Sequence, residues 1–125
     1  MPRSLIARLA RAACVLGVLL HLYTVVCQSE GGPSWFLFAL LGWSALPYGV
    51  AAWSSSQRRG AVPALGAAIA CLIADACIHY TVFIAPTGST AAVGLVVMPF
   101  WNLLLIGPAG AACLWLVHRL CGRRP

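Results

Sequence analysis

The most chemically distinctive residues of this chain are an aspartate and a histidine that lie inside a long apolar stretch. Asp75 and His79 are four residues apart in the segment CLIADACIHY. Helical periodicity therefore places both on one helix face, on which Ala67 and Cys71 precede them. An ionisable side chain within an apolar helix is costly and usually pairs with another group or performs a function. The spacing also permits a direct Asp75–His79 contact within the helix.

Two further polar side chains lie at matching depths on other apolar stretches. Because an α-helix rises 1.5 Å per residue, Asn102 is expected at about the depth of Asp75. By the same reasoning His21 and His79 share a depth roughly 8–9 Å from the middle of the apolar layer. Asp75, His79, Asn102 and His21 are therefore the candidate functional residues.

These four residues support three interpretations. In the first, Asp75 is hydrogen-bonded to Asn102 or His79 and only holds helices together, with each bond worth about 0.6 kcal/mol and at most ~2 kcal/mol. In the second, Asp75 carries a proton or cation and His79 is its partner. In the third, His21 and His79 are the axial ligands of a haem b held between helices. A metal site formed by Asp75 and both histidines is disfavoured, because about one helical turn separates Asp75 from them.

Sequence signatures of enzymes are missing. The chain contains no G-x-S-x-G, H-E-x-x-H, phosphate-loop or G-x-G-x-x-G pattern, so we expect no catalytic residues and no enzyme activity. Its six cysteines form no CxxC pair, and we expect neither a metal nor a cofactor. Four of them lie well inside apolar stretches and are expected to pack in the core as small hydrophobic residues. These four are Cys14, Cys71, Cys77 and Cys113.

The elements that must position these side chains are four apolar helices. Of the 125 residues, 62% are hydrophobic and only 8% are charged, whereas a soluble domain carries about a quarter of charged residues. Lipid is therefore the expected solvent, and the four apolar stretches are long enough to cross it. The predicted fold is all-α: a single transmembrane domain, residues 1–125, forming a four-helix bundle. The predicted spans are 5–26, 34–53, 61–85 and 90–117.

Prolines lie in the interior of two of these spans, and turn-forming residues separate the spans. Pro47 is expected to bend the second span, and Pro99 and Pro108 divide the fourth. Connecting turns are predicted over Gln28–Pro33, which contains Glu30, and over Pro86–Ser89. The first span could also be read as a signal peptide, but it has no A-x-A cleavage site before its polar end.

The basic residues predict an orientation. All eight are arginines, and four crossings would place them in one compartment, which is the positive-inside pattern. They are Arg3, Arg8, Arg11, Arg58, Arg59, Arg119, Arg123 and Arg124. We therefore expect both termini in the cytoplasm and the chain in a bacterial inner membrane. The net charge of +6 is spread over helix ends, which suits anionic lipid headgroups better than nucleic acid.

The functional expectation is correspondingly broad. The favoured hypothesis is a small multi-pass inner-membrane protein that acts through helix–helix contacts with itself, as a homo-oligomer, or with a membrane protein partner. The alternative is a proton-coupled transport or channel component that uses Asp75 and His79. A third and remote hypothesis is a haem b electron carrier that uses His21 and His79.

Overall fold

The computed structural model describes residues 3–28, 34–85 and 91–121, which are helical apart from short connections and ends. The helices are α1 (Arg3–Cys27), α2 (Trp35–Ser56), α3 (Ala61–His79), α4 (Ala91–Trp101) and α5 (Gly107–Cys121). One π-helical turn, Tyr80–Ile84, extends α3, and a second, Asn102–Ile106, joins α4 to α5. Within these described residues, four continuous helical stretches are long and apolar enough to cross a membrane. The predicted all-helical fold with four long apolar helices is confirmed.

The helical stretches run somewhat further than predicted at several ends. α1 begins at Arg3 rather than near residue 5, and α2 continues to Ser56 rather than ending near residue 53. The fourth stretch reaches Cys121. The predicted turns, including Glu30 and Pro86–Ser89, lie outside the described residues except for Gln28, and so do Arg123 and Arg124.

α1 packs through one narrow face of small side chains. Its buried residues recur every three or four positions, which is the spacing of a single helix face. They are Ile6, Ala10, Ala13, Cys14, Gly17, His21 and Val25. This face contacts α2 and α3, and its small side chains allow close approach of the helix axes.

Arginine side chains join the start of α1 to the end of α2. Arg3 Nη2 donates to the Gln57 carbonyl oxygen at 3.1 Å, and Arg11 Nη2 donates to Ser56 Oγ at 3.3 Å. The start of α1, the connection 57–60 and the end of α5 form one end of the bundle, called here the arginine end. The other end, where α1 finishes and α4 begins, is called the opposite end.

α3 is the central helix and contacts α1, α2, α4 and α5. Against α5 it packs backbone to backbone, because a Cβ atom on Gly66 would collide with the carbonyl oxygen of Gly110. Small residues at such a crossing let two membrane helices pack closely. This contact fixes α5 against the half of α3 that lies nearer the arginine end.

The fourth stretch is interrupted by a π turn between its two prolines. Proline has no N–H and cannot continue the helical hydrogen-bond pattern. Gly107 N–H instead donates to the carbonyl oxygen of Asn102, five residues earlier. Such wide turns are frequent at functional sites. Here the turn begins at Asn102, whose side chain is buried.

The cysteine prediction is half right. Cys14 and Cys71 are buried, whereas Cys77 and Cys113 are exposed on the outside of the bundle. The prediction was wrong for these two because each helix of a four-helix bundle turns only part of its circumference inward. A small apolar thiol is equally tolerated on an outer face that lipid would cover.

Candidate functional site

Asp75 is the point at which all four helical stretches meet. Its side chain is fully buried, and its carboxylate oxygens contact one side chain from each of the other stretches. Tyr48 Oη on α2 donates to Oδ2 at 2.5 Å, and His21 Nε2 on α1 lies 3.0 Å from the same oxygen. Asn102 Nδ2 donates to Oδ1 at 2.8 Å. A buried carboxylate with three such partners is well compensated for its loss of water.

Local features of the helices bring these partners to Asp75. Tyr48 fits against α1 because position 17 is glycine, and a Cβ atom there would collide with the tyrosine ring. His21 lies one turn beyond Gly17 on the same face of α1. Asn102 opens the π turn, which re-aims side chains relative to a regular helix.

His79 extends the cluster towards the opposite end. Its Nδ1 atom lies 2.7 Å from the backbone carbonyl oxygen of Asp75, and its Nε2 atom lies 2.7 Å from Thr24 Oγ1 on α1. The His79 and His21 rings meet edge to face with centroids 5.2 Å apart. We call the group formed by Asp75, His21, Tyr48, Asn102, His79 and Thr24 the Asp75 cluster.

The structure brings together all four residues singled out from the sequence, but not always through the expected atoms. Asp75 contacts Asn102 directly, as their equal depth suggests. His79 binds the backbone oxygen of Asp75 instead of its carboxylate. The predicted one-turn offset does not keep His21 away from Asp75, because its imidazole Nε2 atom lies 3.0 Å from the carboxylate.

Tyr48 was missed by the sequence analysis. Its phenol is one of the largest fully buried groups in the part of the chain that the structure describes. The available signal was its position: tyrosines at membrane boundaries are common, whereas Tyr48 lies in the interior of an apolar helix. A hydroxyl at that depth needs a hydrogen-bond partner, and Asp75 is the acceptor present.

Asn102 contains an unpartnered acceptor. Its Oδ1 atom is buried and has no hydrogen-bond partner among the described residues. The Nδ2 group faces the carboxylate, as an ionised Asp75 requires. If Asp75 Oδ1 took up a proton, the carboxyl group would become a donor, and a turned amide could present Oδ1 to it. The Asn102 side chain can therefore form a hydrogen bond with Asp75 in either protonation state.

The histidine geometry does not fit a haem. Two axial imidazoles must stand on opposite faces of a macrocycle, each with a nitrogen free for iron. His21 and His79 instead touch edge to face, and Nε2 of His21 and both nitrogens of His79 have hydrogen-bond partners. Within residues 3–28, 34–85 and 91–121, no group of three or more His, Cys, Asp or Glu side chains is placed to hold a metal ion.

Two cavities flank the Asp75 cluster. One, of about 410 Å³, lies between α2, α3 and α5 on the half nearer the arginine end, and the buried residues Cys71 and Asn102 are part of its lining. We call it the arginine-end groove. The other, of about 390 Å³, lies at the opposite end, and Thr24 and Gln28 are its polar lining residues. We call it the opposite-end cavity. Each reaches a member of the cluster from its own side.

Comparison with known protein families, with curated protein sequences and with solved structures finds no match to this chain.

Proposed function

We propose that this chain is a four-span integral membrane protein whose Asp75 cluster binds and releases a proton. The four apolar helices support membrane insertion, and the clustering of arginines at one end supports a cytoplasmic arginine end by the positive-inside rule. In this orientation, in a bacterial inner membrane, the opposite-end cavity faces the periplasmic side.

The observation that carries the proposal is the burial of Asp75 with two imidazoles in one contacting cluster. Structural hydrogen bonds between membrane helices need only neutral hydroxyl or amide groups. A carboxylate and two histidines at the bundle centre add a cost that neutral groups would avoid. These are also the side-chain types that exchange protons near neutral pH in a perturbed environment.

Proton binding would change how the helices are held together. An ionised Asp75 accepts hydrogen bonds from α1, α2 and the fourth stretch at once. A protonated carboxyl group loses negative charge and must itself donate one bond, which weakens its hold on Tyr48 and His21. Protonation would therefore loosen α1 and α2 from α3, and this coupling suits a component of a proton-coupled transporter or channel.

Infrared spectroscopy tests proton binding at Asp75 directly, because the chain has only two acidic side chains, Asp75 and Glu30. In a Glu30→Gln background, lowering the pH from about 8 to 5 should produce the carbonyl band of a protonated, buried carboxyl group or the bands of an imidazolium. Asp75→Asn keeps the shape and deletes the titrating group. The proposal fails if the difference spectra of the two proteins are the same.

A second candidate function is contact with another copy of the chain or with a membrane partner. It is favoured by the arginine-end groove, which is open and is lined by small residues such as Ala64, Ala67 and Ala111. A partner side chain could enter between α2 and α5 there. Ala111→Phe would fill the groove, and Ala112→Phe is the matched control on the exposed side of α5.

Co-purification from native membranes in mild detergent separates the two candidates. If the protein acts through this groove, Ala111→Phe should lose a partner or an oligomer that both the wild type and Ala112→Phe retain. A chain that elutes as the same monomer in all three forms would remove the contact hypothesis.

A further inference from the structure

Thr24 makes more hydrogen-bond contacts than its single hydroxyl proton can supply. Its Oγ1 atom lies 3.1 Å from the Leu20 carbonyl oxygen, which can only accept, and 2.7 Å from His79 Nε2. On the other side of the ring, His79 Nδ1 faces the backbone oxygen of Asp75. Because that oxygen is also an acceptor, Nδ1 carries a proton, and a neutral His79 must present a bare Nε2 to Thr24.

The neutral and the protonated state of His79 differ in how many of these contacts can be hydrogen bonds. With His79 neutral, the Thr24 hydroxyl can donate either to Nε2 or to the Leu20 carbonyl oxygen. The other acceptor then receives no hydrogen bond from Thr24. With His79 protonated at both nitrogens, Nε2–H donates to Oγ1 and the Thr24 hydroxyl donates to Leu20, so all three short contacts are satisfied. The protonated state uses the same heavy-atom positions and differs only in the direction of one hydroxyl hydrogen.

Of the two cavities, only the opposite-end cavity has Thr24 among its lining residues. Thr24 is half-buried and lines the opposite-end cavity together with Gln28. The lining of the arginine-end groove instead includes Cys71 and Asn102. From this placement we propose that Thr24 is a proton relay that connects His79 to the opposite-end compartment and not to the arginine end. This inference rests on the proposed function, since it assumes that the Asp75 cluster takes up protons.

A proton can pass from the cavity through Thr24 to His79 Nε2 in one concerted step. Thr24 Oγ1 accepts a proton from a hydronium ion in the cavity while its own proton passes to His79 Nε2. One oxygen–hydrogen bond of the hydronium ion and the original oxygen–hydrogen bond of Thr24 break, and a new Thr24 oxygen–hydrogen bond and the His79 nitrogen–hydrogen bond form. A water molecule is left in the cavity, and Thr24 ends as a neutral hydroxyl turned towards Leu20. The imidazolium is then stabilised by the nearby Asp75 carboxylate, which provides its countercharge.

The groups that face His79 fit this role. From α1 the titratable neighbour is His21, and on its own helix it is Asp75. α2 contributes Tyr48 on the far side of the carboxylate, and the fourth stretch has no ionisable side chain between Ala91 and Ala112. Asp75 is thus the one acidic group among the described neighbours, and Thr24 lies on the side that leads to the cavity.

Thr24→Val tests the relay, because valine keeps the shape and removes the hydroxyl. The chain provides a matched control in Thr81, whose hydroxyl also donates to a helical carbonyl, that of Ile78, but contacts no histidine. Nitrogen-15 labelling of the histidines, with His118→Gln to simplify the spectrum, reports the protonation of His79. We expect Thr24→Val to slow protonation of Nε2 after a pH jump roughly tenfold or more, and Thr24→Ser and Thr81→Val to keep the wild-type rate.

Filling each cavity in turn tests the side from which protons arrive. Val93→Phe narrows the opposite-end cavity and should slow the same step, whereas Ala111→Phe fills the arginine-end groove and should not. Wild-type rates in Thr24→Val, or slowing only in Ala111→Phe, would overturn the relay. If total proton uptake still differs between the wild type and Asp75→Asn, that failure leaves the proposed function standing.

Discussion

On one face of α3, Asp75 and His79 bind α1 through imidazole and hydroxyl groups, whereas on the other face Gly66 meets α5 through bare backbone. His79 and Ala70, which packs against Gly110, are nine residues apart, which is about two and a half helical turns and turns their side chains in opposite directions. The two contacts therefore lie on opposite faces of one helix. The first is directional and contains groups that titrate, while the second contains none.

This difference assigns different mechanical roles to the two faces. Packing of small residues depends only on shape, so pH should not affect it. Hydrogen bonds to a carboxylate weaken when the charge is removed. α3 and α5 are thus expected to remain a fixed pair, while α1 and α2 shift relative to them when the Asp75 carboxylate itself is protonated.

The largest expected effect comes from disrupting the close packing of small residues between α3 and α5. Gly66→Leu places side-chain atoms where the Gly110 carbonyl lies, and backbone cannot move aside as a flexible side chain can. Overpacking of this kind costs about 1–3 kcal/mol or more, so we expect little assembled protein and a lower midpoint in a detergent-unfolding titration.

Gly49→Ala is the matched control, because a Cβ atom there meets no neighbour within 4 Å. In a helix this exchange should be neutral or stabilising, by up to about 1 kcal/mol. Equal losses in Gly66→Leu and Gly49→Ala would show that the α3–α5 contact is not tight.

The next largest effect comes from removing single partners of Asp75. Tyr48→Phe deletes one donor to the carboxylate, and we expect it to lower the free energy of unfolding by about 1–2 kcal/mol. Asn102→Leu deletes another donor but also removes the buried, unpartnered Oδ1 atom. Asn102→Leu should therefore lower the free energy of unfolding by less than Tyr48→Phe does in the same assay. A larger loss for Asn102→Leu would mean that the Asn102 amide oxygen is hydrogen-bonded in the folded protein.

The smallest expected effect is the chemical labelling of cysteines on the outer faces of the helices, which should leave the stability of the protein unchanged. An apolar maleimide should react with Cys77 and Cys113, which are exposed, and spare Cys14 and Cys71, which are buried. Mass spectrometry of the labelled protein gives the sites. Labelling of Cys71 at the rate of Cys77 would place α3 in a different rotation and so separate Asp75 from its partners.

The fold was predictable because its signals are strong and redundant. Four apolar stretches in 125 residues leave few alternatives to four long apolar helices. Depth along each helix was also predictable from the rise per residue, and it correctly paired Asp75 with Asn102. Rotation about each helix axis was not, because an apolar span shows little contrast between its inward and outward faces. For this reason Cys77 and Cys113 were misplaced and Tyr48 was missed.

The details of the Asp75 cluster depend on that missing information. Which oxygen of Asp75 a neighbour meets is decided by helix rotation and by local features such as the π turn at Asn102. The role of Thr24 likewise follows from two short distances to Leu20 and His79. No spacing rule in the sequence specifies them.

Direct measurement of proton uptake tests the central claim, that the Asp75 cluster binds a proton. The wild type and Asp75→Asn, both carrying His118→Gln, would be titrated in weakly buffered nanodiscs from about pH 8 to pH 5. We predict that the wild type takes up about one more proton per chain than Asp75→Asn over this range. Superimposable uptake curves for two folded proteins would contradict the claim and leave the cluster with a structural role alone.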